Sequence, residues 1–370
     1  MTFSDSLRAR FKMPVLASLF CVASIASFSP SLEACPASVK NLRTNYLPEG
    51  YSSLCQFADH YSDLKKQIGN ANRIADLRAP RFINLPDWMA ALPKTGFNPF
   101  VVYGPATWTA WDATATAVDN EAEQIYQTGG SPVISLNWLL DRNRSATVDR
   151  LPDGSTAGSL RTEVSYGLQI RRAGAARVDE ISLLTSMISP AGPDRQPLLT
   201  WTGSHCVEDL PEDSQGWFDR DMRYFNAALL RPTTNTFRDP QGITRLCGWL
   251  TYPSTARVQN LLNSYTQFFQ MLQPALRSGQ ADIIFSASQL QRTLVGIHPF
   301  SVGNGRTSRL VMDLLLESYG LPAPIFVNQS IDLSTPDAQW AAEISRGMLS
   351  VVQKLEACVR APNAPRCQRI

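Results

Sequence analysis

The sequence predicts a mainly α-helical protein with one small β-hairpin and an N-terminal helical extension. Three observations predict that class. Apolar residues recur at helical spacing in long blocks, most clearly after residue 254. One convincing hairpin signal exists, two short extended runs within residues 231–253 around Asp239-Pro240-Gln241-Gly242. Hydrophobic residues make up 44% of the 370 positions against 18% charged, which is too apolar for a disordered chain and enough for a sizeable core. No internal repeat is visible.

The elements follow in order. Leu54, Phe57, Ala58, Tyr61 and Leu64 stand at helical spacing. Residues 80–112 are rich in Pro and Trp and read as an irregular connection with one short helix. A helix is expected over 113–127, ending before Gly129-Gly130, and another over 132–144 with Pro132 near its start. Residues 151–165 have loop composition, 178–189 read as a helix, and 194–216 are turn-rich and acidic. After the hairpin come a helix from about Ser254 to Leu272, capped by Ser254 or Thr255, and one from about Ala281 to Ile297. The next starts near Asn304 or Arg306 and ends at Gly320, a C-terminal glycine signal. A last helix covers 336–359 with Pro336 in its first turn.

The N-terminus carries Arg8, Arg10 and Lys12, followed by an uncharged run from Met13 to Leu32. A basic head, an apolar middle and a small-residue exit after Ala34 describe a secretory signal peptide over residues 1–34. A membrane anchor and a lipoprotein attached at Cys35 are the competing readings. Ser and Pro interrupt the apolar run, and Glu33 sits awkwardly in a lipidation box. Without Cys21, which lies inside the signal, six cysteines remain. An even number in an exported chain implies disulfides, and the local couples are Cys35/Cys55, Cys206/Cys247 and Cys358/Cys367. Buried thiols are the alternative.

Net charge is +2, so no strong field exists to hold a nucleic-acid polymer. The three histidines, His60, His205 and His298, nearly exclude a His-rich metal site. No CxxC pair supports zinc or thioredoxin chemistry, and no GxSxG elbow supports a serine hydrolase. His205 beside Cys206 reads as a loop histidine next to a half-cystine, and His60 as a helix residue. Trp88, Trp108, Trp111 and Trp138 read as packing for the N-terminal region.

The chemistry concentrates in Ile297-His298-Pro299-Phe300-Ser301-Val302-Gly303-Asn304-Gly305-Arg306-Thr307-Ser308-Arg309. A long apolar helix ends at a histidine, a Gly-Asn-Gly turn follows, and another long helix begins at once. Glycines let successive backbone N–H groups converge into an anion nest, and the positive end of the second helix faces the same spot. Arg306 and Arg309 share one face of that helix's first turn. Basic groups there oppose the helix dipole, a local cost that makes sense if a polyanion sits between them. A histidine beside such a cradle can act as general base for a hydroxyl attacking phosphorus.

This stretch resembles the signature of the Fic (filamentation induced by cAMP) family, HPFx[D/E]GNGRxxR, here HPFSVGNGRTSR. The resemblance covers about residues 130–325 and implies a Fic-type helical fold with a β-hairpin flap, then two helices, before the signature. The flap falls at about Thr233–Thr251. Alternatively, Ala157-Gly158-Ser159-Leu160-Arg161 opens it, and residues 165–245 hold a large insertion. The implied domains are an extension at 35–130, a Fic-like domain at 131–330 and a disulfide-bearing tail at 331–370.

The resemblance also implies transfer of AMP from ATP, or of a related phosphate-containing group from another nucleotide donor, to a Ser, Thr or Tyr hydroxyl of a target protein. His298 takes the hydroxyl proton. Gly303, Asn304 and Gly305 hold the α-phosphate, while Arg306 and Arg309 hold the β- and γ-phosphates. Pro299 and Phe300 shape the loop. Val302 stands where the family places an acidic ligand for Mg²⁺, so no protein metal ligand is expected. That leaves three readings: a weaker metal site, a different donor such as a UMP, phosphate or phosphocholine source, or lost activity in a nucleotide- or protein-binding module. Ser159 to Glu163 has the spacing of the family's inhibitory segment, but Val164 breaks the pattern, so no inhibitory helix is expected. Export together with this cradle points to a toxin or effector acting on a target in another cell, with no stable membrane insertion after signal cleavage.

Overall fold

Among the described residues, three helices start at a polar side chain, Ser53, Ser135 or Asp282, that accepts from an N–H the first turn leaves open. The computed structural model describes residues 35, 38–69, 74, 77–78, 81, 105–147, 157–162, 166–173, 198, 200–202, 236–238, 244–326, 332 and 335–367. Helix α1 spans Leu54–Ile68; Ser53 caps it by accepting from the Gln56 N–H at 3.2 Å. Helix α2 spans Pro105–Thr128 and ends at Gly129, whose φ is 67°. It begins eight residues before the expected start at 113, because Pro105 is pre-set for a first helical turn. Helix α3 covers Leu136–Ala146, capped by Ser135 rather than opened by Pro132.

Helices α4 (Thr255–Arg277), α5 (Ile283–Ile297), α6 (Asn304–Ser318) and α7 (Asp337–Arg360) follow as expected, with ends moved by a few residues. Asp282 caps α5, accepting from the Phe285 N–H at 2.9 Å, and also takes hydrogen bonds from Thr44 and the Asn45 N–H. The sequence stretch before α1 is thereby tied to the start of the helix that ends at His298. The helix expected at 178–189 lies outside the described residues.

The class is mainly α, but the small hairpin flap requires correction. Strand β4 (Thr244–Thr251) is the shared strand of a four-stranded antiparallel sheet with β1 (Tyr166–Ala173), β2 (Thr200–Thr202) and β3 (Thr236–Arg238). Among the described residues there is no free-standing two-stranded hairpin. β1 pairs with β4 along its length, from Tyr166 opposite Thr251 to Ala173 opposite Arg245. β3 and β2 pair with β4 as well, at Thr244–Leu246 and Trp249–Thr251. The local turn signal at 239–242 could show the short pairing with β3. It carried no information about a partner strand some seventy positions upstream.

The core lies around α6, where 12 of the 15 residues are buried. This helix packs on α5, α2 and α3, while α5 also packs on α7 and α4. A buried ion network locks α6 to the N-terminal half. Arg81 donates to Asp313 of α6 at 2.7 Å and to Asp119 of α2 at 3.0 Å, and Arg78 donates to Asp119 at 2.7 Å and Asp112 at 2.8 Å. Both guanidiniums are almost fully out of solvent, so each needs these carboxylates. Disulfides join Cys35 to Cys55 and Cys358 to Cys367, as the spacing predicted. The Cys206/Cys247 couple lies outside what is described. No helix among the described residues is long and apolar enough to cross a membrane.

Candidate active site

His298 closes α5. Its N–H donates to the Leu294 carbonyl at 3.1 Å, and its φ of 48° and ψ of 58° place it in the left-handed region. Among the described residues it is the one non-glycine at positive φ. Such a conformation costs roughly 1–3 kcal/mol and persists where the surroundings over-determine it.

Three segments supply those surroundings. Residues 157–162 run alongside the loop: Leu160 makes an antiparallel bridge to Phe300, and the Arg161 N–H donates to the Pro299 carbonyl at 2.8 Å. The Arg161 side chain donates through Nε to the His298 carbonyl at 2.6 Å and through Nη2 to the Pro253 carbonyl. Tyr252, directly after β4, stacks on the imidazole with ring centroids 3.8 Å apart and planes 16° from parallel. The pairing of Tyr166 with Thr251 at one end of the sheet is what brings the 161 and 252 regions to the same place.

The third segment is α3. Asn143 donates from Nδ2 to the Val302 carbonyl at 2.9 Å and to Thr307 Oγ1 at 3.1 Å, and its Oδ1 accepts from the Gly158 N–H at 3.1 Å. Gly303 caps α6 at a φ of 80°, and it is packed so closely that a Cβ there would lie 2.1 Å from Thr147 Cγ2. Glycine is required on both counts.

The predicted site residues come together on this frame. Pro299 and Phe300 are buried. Asn304 is also buried, and its amide is committed to the loop: Oδ1 accepts from the Phe300 N–H at 2.9 Å and Nδ2 donates to the Phe300 carbonyl at 2.7 Å. Its side chain therefore shapes the loop, and the first-turn N–H groups of α6 remain as anion donors. Gly305 lies against Arg309, since a Cβ there would stand 3.2 Å from Arg309 Nη1. Arg306 donates to the Ala146 carbonyl at 2.6 Å, and burial raises the pKa of Asp313 on the same helix, with Arg81 and then Arg309 working against it. Both arginines keep part of their surface open.

Val302 offers no side-chain oxygen, and its carbonyl is taken by Asn143. With the Asn304 amide also occupied, these residues do not fit a protein-held Mg²⁺. Among the described residues no group of three or more His, Cys, Asp or Glu could hold a metal ion.

The imidazole is shut in on one side. Burial, and secondarily the Arg161 charge, push the His298 pKa down to about 3, with the Val295 carbonyl working weakly the other way. Nδ1 is buried without a hydrogen bond of ordinary geometry, although the residue as a whole keeps some exposure. At neutral pH the ring is uncharged and has a lone pair to offer, as a general base requires, but its basicity is weak until negative charge approaches.

Sequence reasoning missed Asn143, Thr147 and Tyr252. Asn143 and Thr147 sit near the end of a helix more than 150 positions before their partners, and no local pattern marks them. Tyr252 could have been found as the residue joining the last strand to α4.

Residues 217–316 match the sequence model of the Fic/DOC family. Over that part of its length the chain resembles the Fic/DOC family. It is 31% identical over 75 residues to a Fido domain-containing protein of Dictyostelium discoideum, covering 20% of this chain and 50% of that one. It is 56% identical over 36 residues to a uridine 5'-monophosphate transferase of Xanthomonas campestris pv. campestris, covering 10% of this chain and 7% of that protein. The chain thus spans half or less of the length of these two curated relatives. Among solved structures it is similar to a Fic domain containing signaling protein from Bacteroides thetaiotaomicron, at 13% identity and a TM-score of 0.41, covering 82% of this chain and 91% of that one. It is also similar to a Fic protein of C. elegans, at 13% identity and a TM-score of 0.37, covering 83% and 73%.

Proposed function

We propose that this protein is a Fic-type transferase that moves a nucleotidyl or related phosphate-containing group from a nucleotide donor to a hydroxyl side chain of a target protein. The observation that carries the reading is the juxtaposition of a histidine, held at the left-handed end of α5, with the N-terminus of α6 five residues on. His298 takes the proton of the attacking hydroxyl. The Gly303–Gly305 backbone receives the phosphate at which bonds are exchanged. Arg306 and Arg309 take the outer phosphates and offset charge as the leaving group departs. The hydroxyl oxygen bonds to phosphorus, the bond to the leaving phosphate breaks, and the proton passes to His298. No step is routed through a protein-bound metal. The short match to a uridine 5'-monophosphate transferase supports testing UTP beside ATP.

Export through residues 1–34 belongs to the same proposal, supported by two disulfides, which form and persist in oxidising compartments. With export, the target protein lies in another cell, as for a toxin or effector.

A second reading is favoured by Val302 and by the weak basicity of His298: a module that binds nucleotide or protein without catalysis. One experiment separates the two. Oxidised mature protein is incubated with labelled ATP, UTP, GTP, CTP or CDP-choline and with bacterial or eukaryotic lysate, with and without Mg²⁺, beside His298→Ala. A labelled protein band that disappears in His298→Ala supports the transferase. Folded protein that labels nothing with any donor refutes it and leaves the binding module. A transferase that Val302→Asp turns Mg²⁺-dependent identifies position 302 as the place of the missing ligand.

A further inference from the structure

Arg161 lies outside the signature loop, yet three of its hydrogen bonds hold that loop and the segment facing it. Its N–H binds the Pro299 carbonyl, its Nε the His298 carbonyl at 2.6 Å, and its Nη2 the Pro253 carbonyl. Pro253 follows Tyr252, whose ring lies on the imidazole at 3.8 Å. A guanidinium is a rigid planar fork, so the two carbonyls it binds are held at a set separation. The separation of the Tyr252 and His298 backbones follows from it.

We propose that Arg161 is a positioning residue for His298: it clamps the His298 and Pro253 carbonyls so that the Tyr252 ring stays stacked on the imidazole and fixes the orientation of the ring. The inference deepens the transferase reading and rests on it. A left-handed histidine is strained even where it caps a helix, and the bond from Arg161 Nε to its carbonyl holds that peptide in place. Stacking then occupies one ring face, leaving the ring edge for proton transfer. Two titratable side chains act on the ring, Arg161 through its charge and Tyr252 through its face; among the described residues no carboxylate is a cause of its shift. Arg161 disfavours the imidazolium, so an anion arriving at Gly303–Gly305 opposes it and raises the basicity of the ring. The base thereby strengthens when the donor binds.

The test uses the full oxidised chain and its Arg161→Gln, Arg161→Lys and Tyr252→Leu variants. Ring NMR of the three histidines is followed against pH, with His298 assigned from the signal missing in His298→Gln. In the unsubstituted protein His298 is expected to stay neutral from pH 5 to 8, and inorganic pyrophosphate is expected to raise its titration point. Arg161→Gln is expected to raise that point by about one unit or more without pyrophosphate. Arg161→Lys keeps the charge and loses the fork, so its His298 is expected to stay neutral while kcat for transfer falls about 100-fold at nearly constant donor KM. Tyr252→Leu is expected to lose kcat similarly. An unmoved His298 titration in folded Arg161→Gln overturns the proposal, as does full kcat in Arg161→Lys. If Arg161→Gln does not fold, Arg161→Lys and Tyr252→Leu decide by the ring's chemical shift and its nuclear Overhauser contacts to residue 252, which must change. If no donor is transferred by the unsubstituted protein while the titrations behave as expected, the transferase reading fails and the positioning role stands.

Discussion

Replacing Gly303 by alanine tests how tightly the cradle is built. The added Cβ would stand 2.1 Å from Thr147 Cγ2 and 2.9 Å from Asn143 Nδ2, and the residue would have to keep a φ of 80°. The conformational cost is roughly 1–2 kcal/mol for a residue with a Cβ. Overpacking against a buried neighbour adds about 1–3 kcal/mol. The expected loss is therefore about 2–5 kcal/mol, or a fall in Tm of roughly 4–10 °C. The two contributions are separable, because the closest clash is with one methyl group. Thr147→Ser removes Cγ2 and keeps the hydroxyl that donates to the Asn143 carbonyl at 2.6 Å. In a double-mutant cycle followed by thermal and urea unfolding, Gly303→Ala with Thr147→Ser should recover about 1 kcal/mol or more, while the conformational part remains. Gly303→Ala at no measurable cost, or a cycle with no coupling between 303 and 147, would refute the close approach of α3 to the turn.

Three other outcomes follow from the structure. His298 has a depressed folded-state pKa, so the folded chain takes up a proton less readily than the unfolded one. Stability should be fully present above about pH 6.5 and lost as pH falls towards about 3, and His298→Asn should flatten this part of a stability-versus-pH curve. Asp119→Asn leaves Arg78 and Arg81 short of their shared carboxylate and should cost about 3–5 kcal/mol, read from urea midpoints. Because its arginines hold the Asp119 pKa low, that carboxylate's contribution is present above its ordinary value and fades only in acid below it. The disulfides close loops with sequence separations of 20 and 9 residues, so replacing either pair with Ser should cost about 2–4 kcal/mol, seen as a lower Tm insensitive to added reductant at that bridge.

The sequence showed the signature loop better than its supports. His298, the Gly-Asn-Gly turn and the start of α6 at Asn304 were readable because they are contiguous and each obeys a local rule of capping or charge. Asn304 is expected to help hold the α-phosphate, and its backbone N–H is the group left for that role, because the Phe300 backbone four residues away takes both ends of its amide. The four-stranded sheet was not readable, since a strand reveals its faces but not its partner, and β1 and β4 are far apart in the chain. Asn143 and Thr147 left no trace either, because they matter only once α3 lies against the turn. Two of the four tryptophans show the opposite case: Trp108 and Trp111 are buried on α2, as their apolar character alone predicted, while Trp138 is half-buried and Trp88 lies outside the described residues.

The span of family likeness and the span of mechanical integrity are different things in this chain. The matched stretch, 217–316, contains the histidine and both arginines. It leaves out the asparagine that grips the turn, the threonine packed on Gly303, the arginine clamp on the His298 carbonyl and the partner that neutralises Asp313. A fragment cut to the likeness would retain every candidate reacting group and lose what aims them. Exchanging the signature loop between relatives should therefore fail unless residues 81, 143, 147 and 161 travel with it.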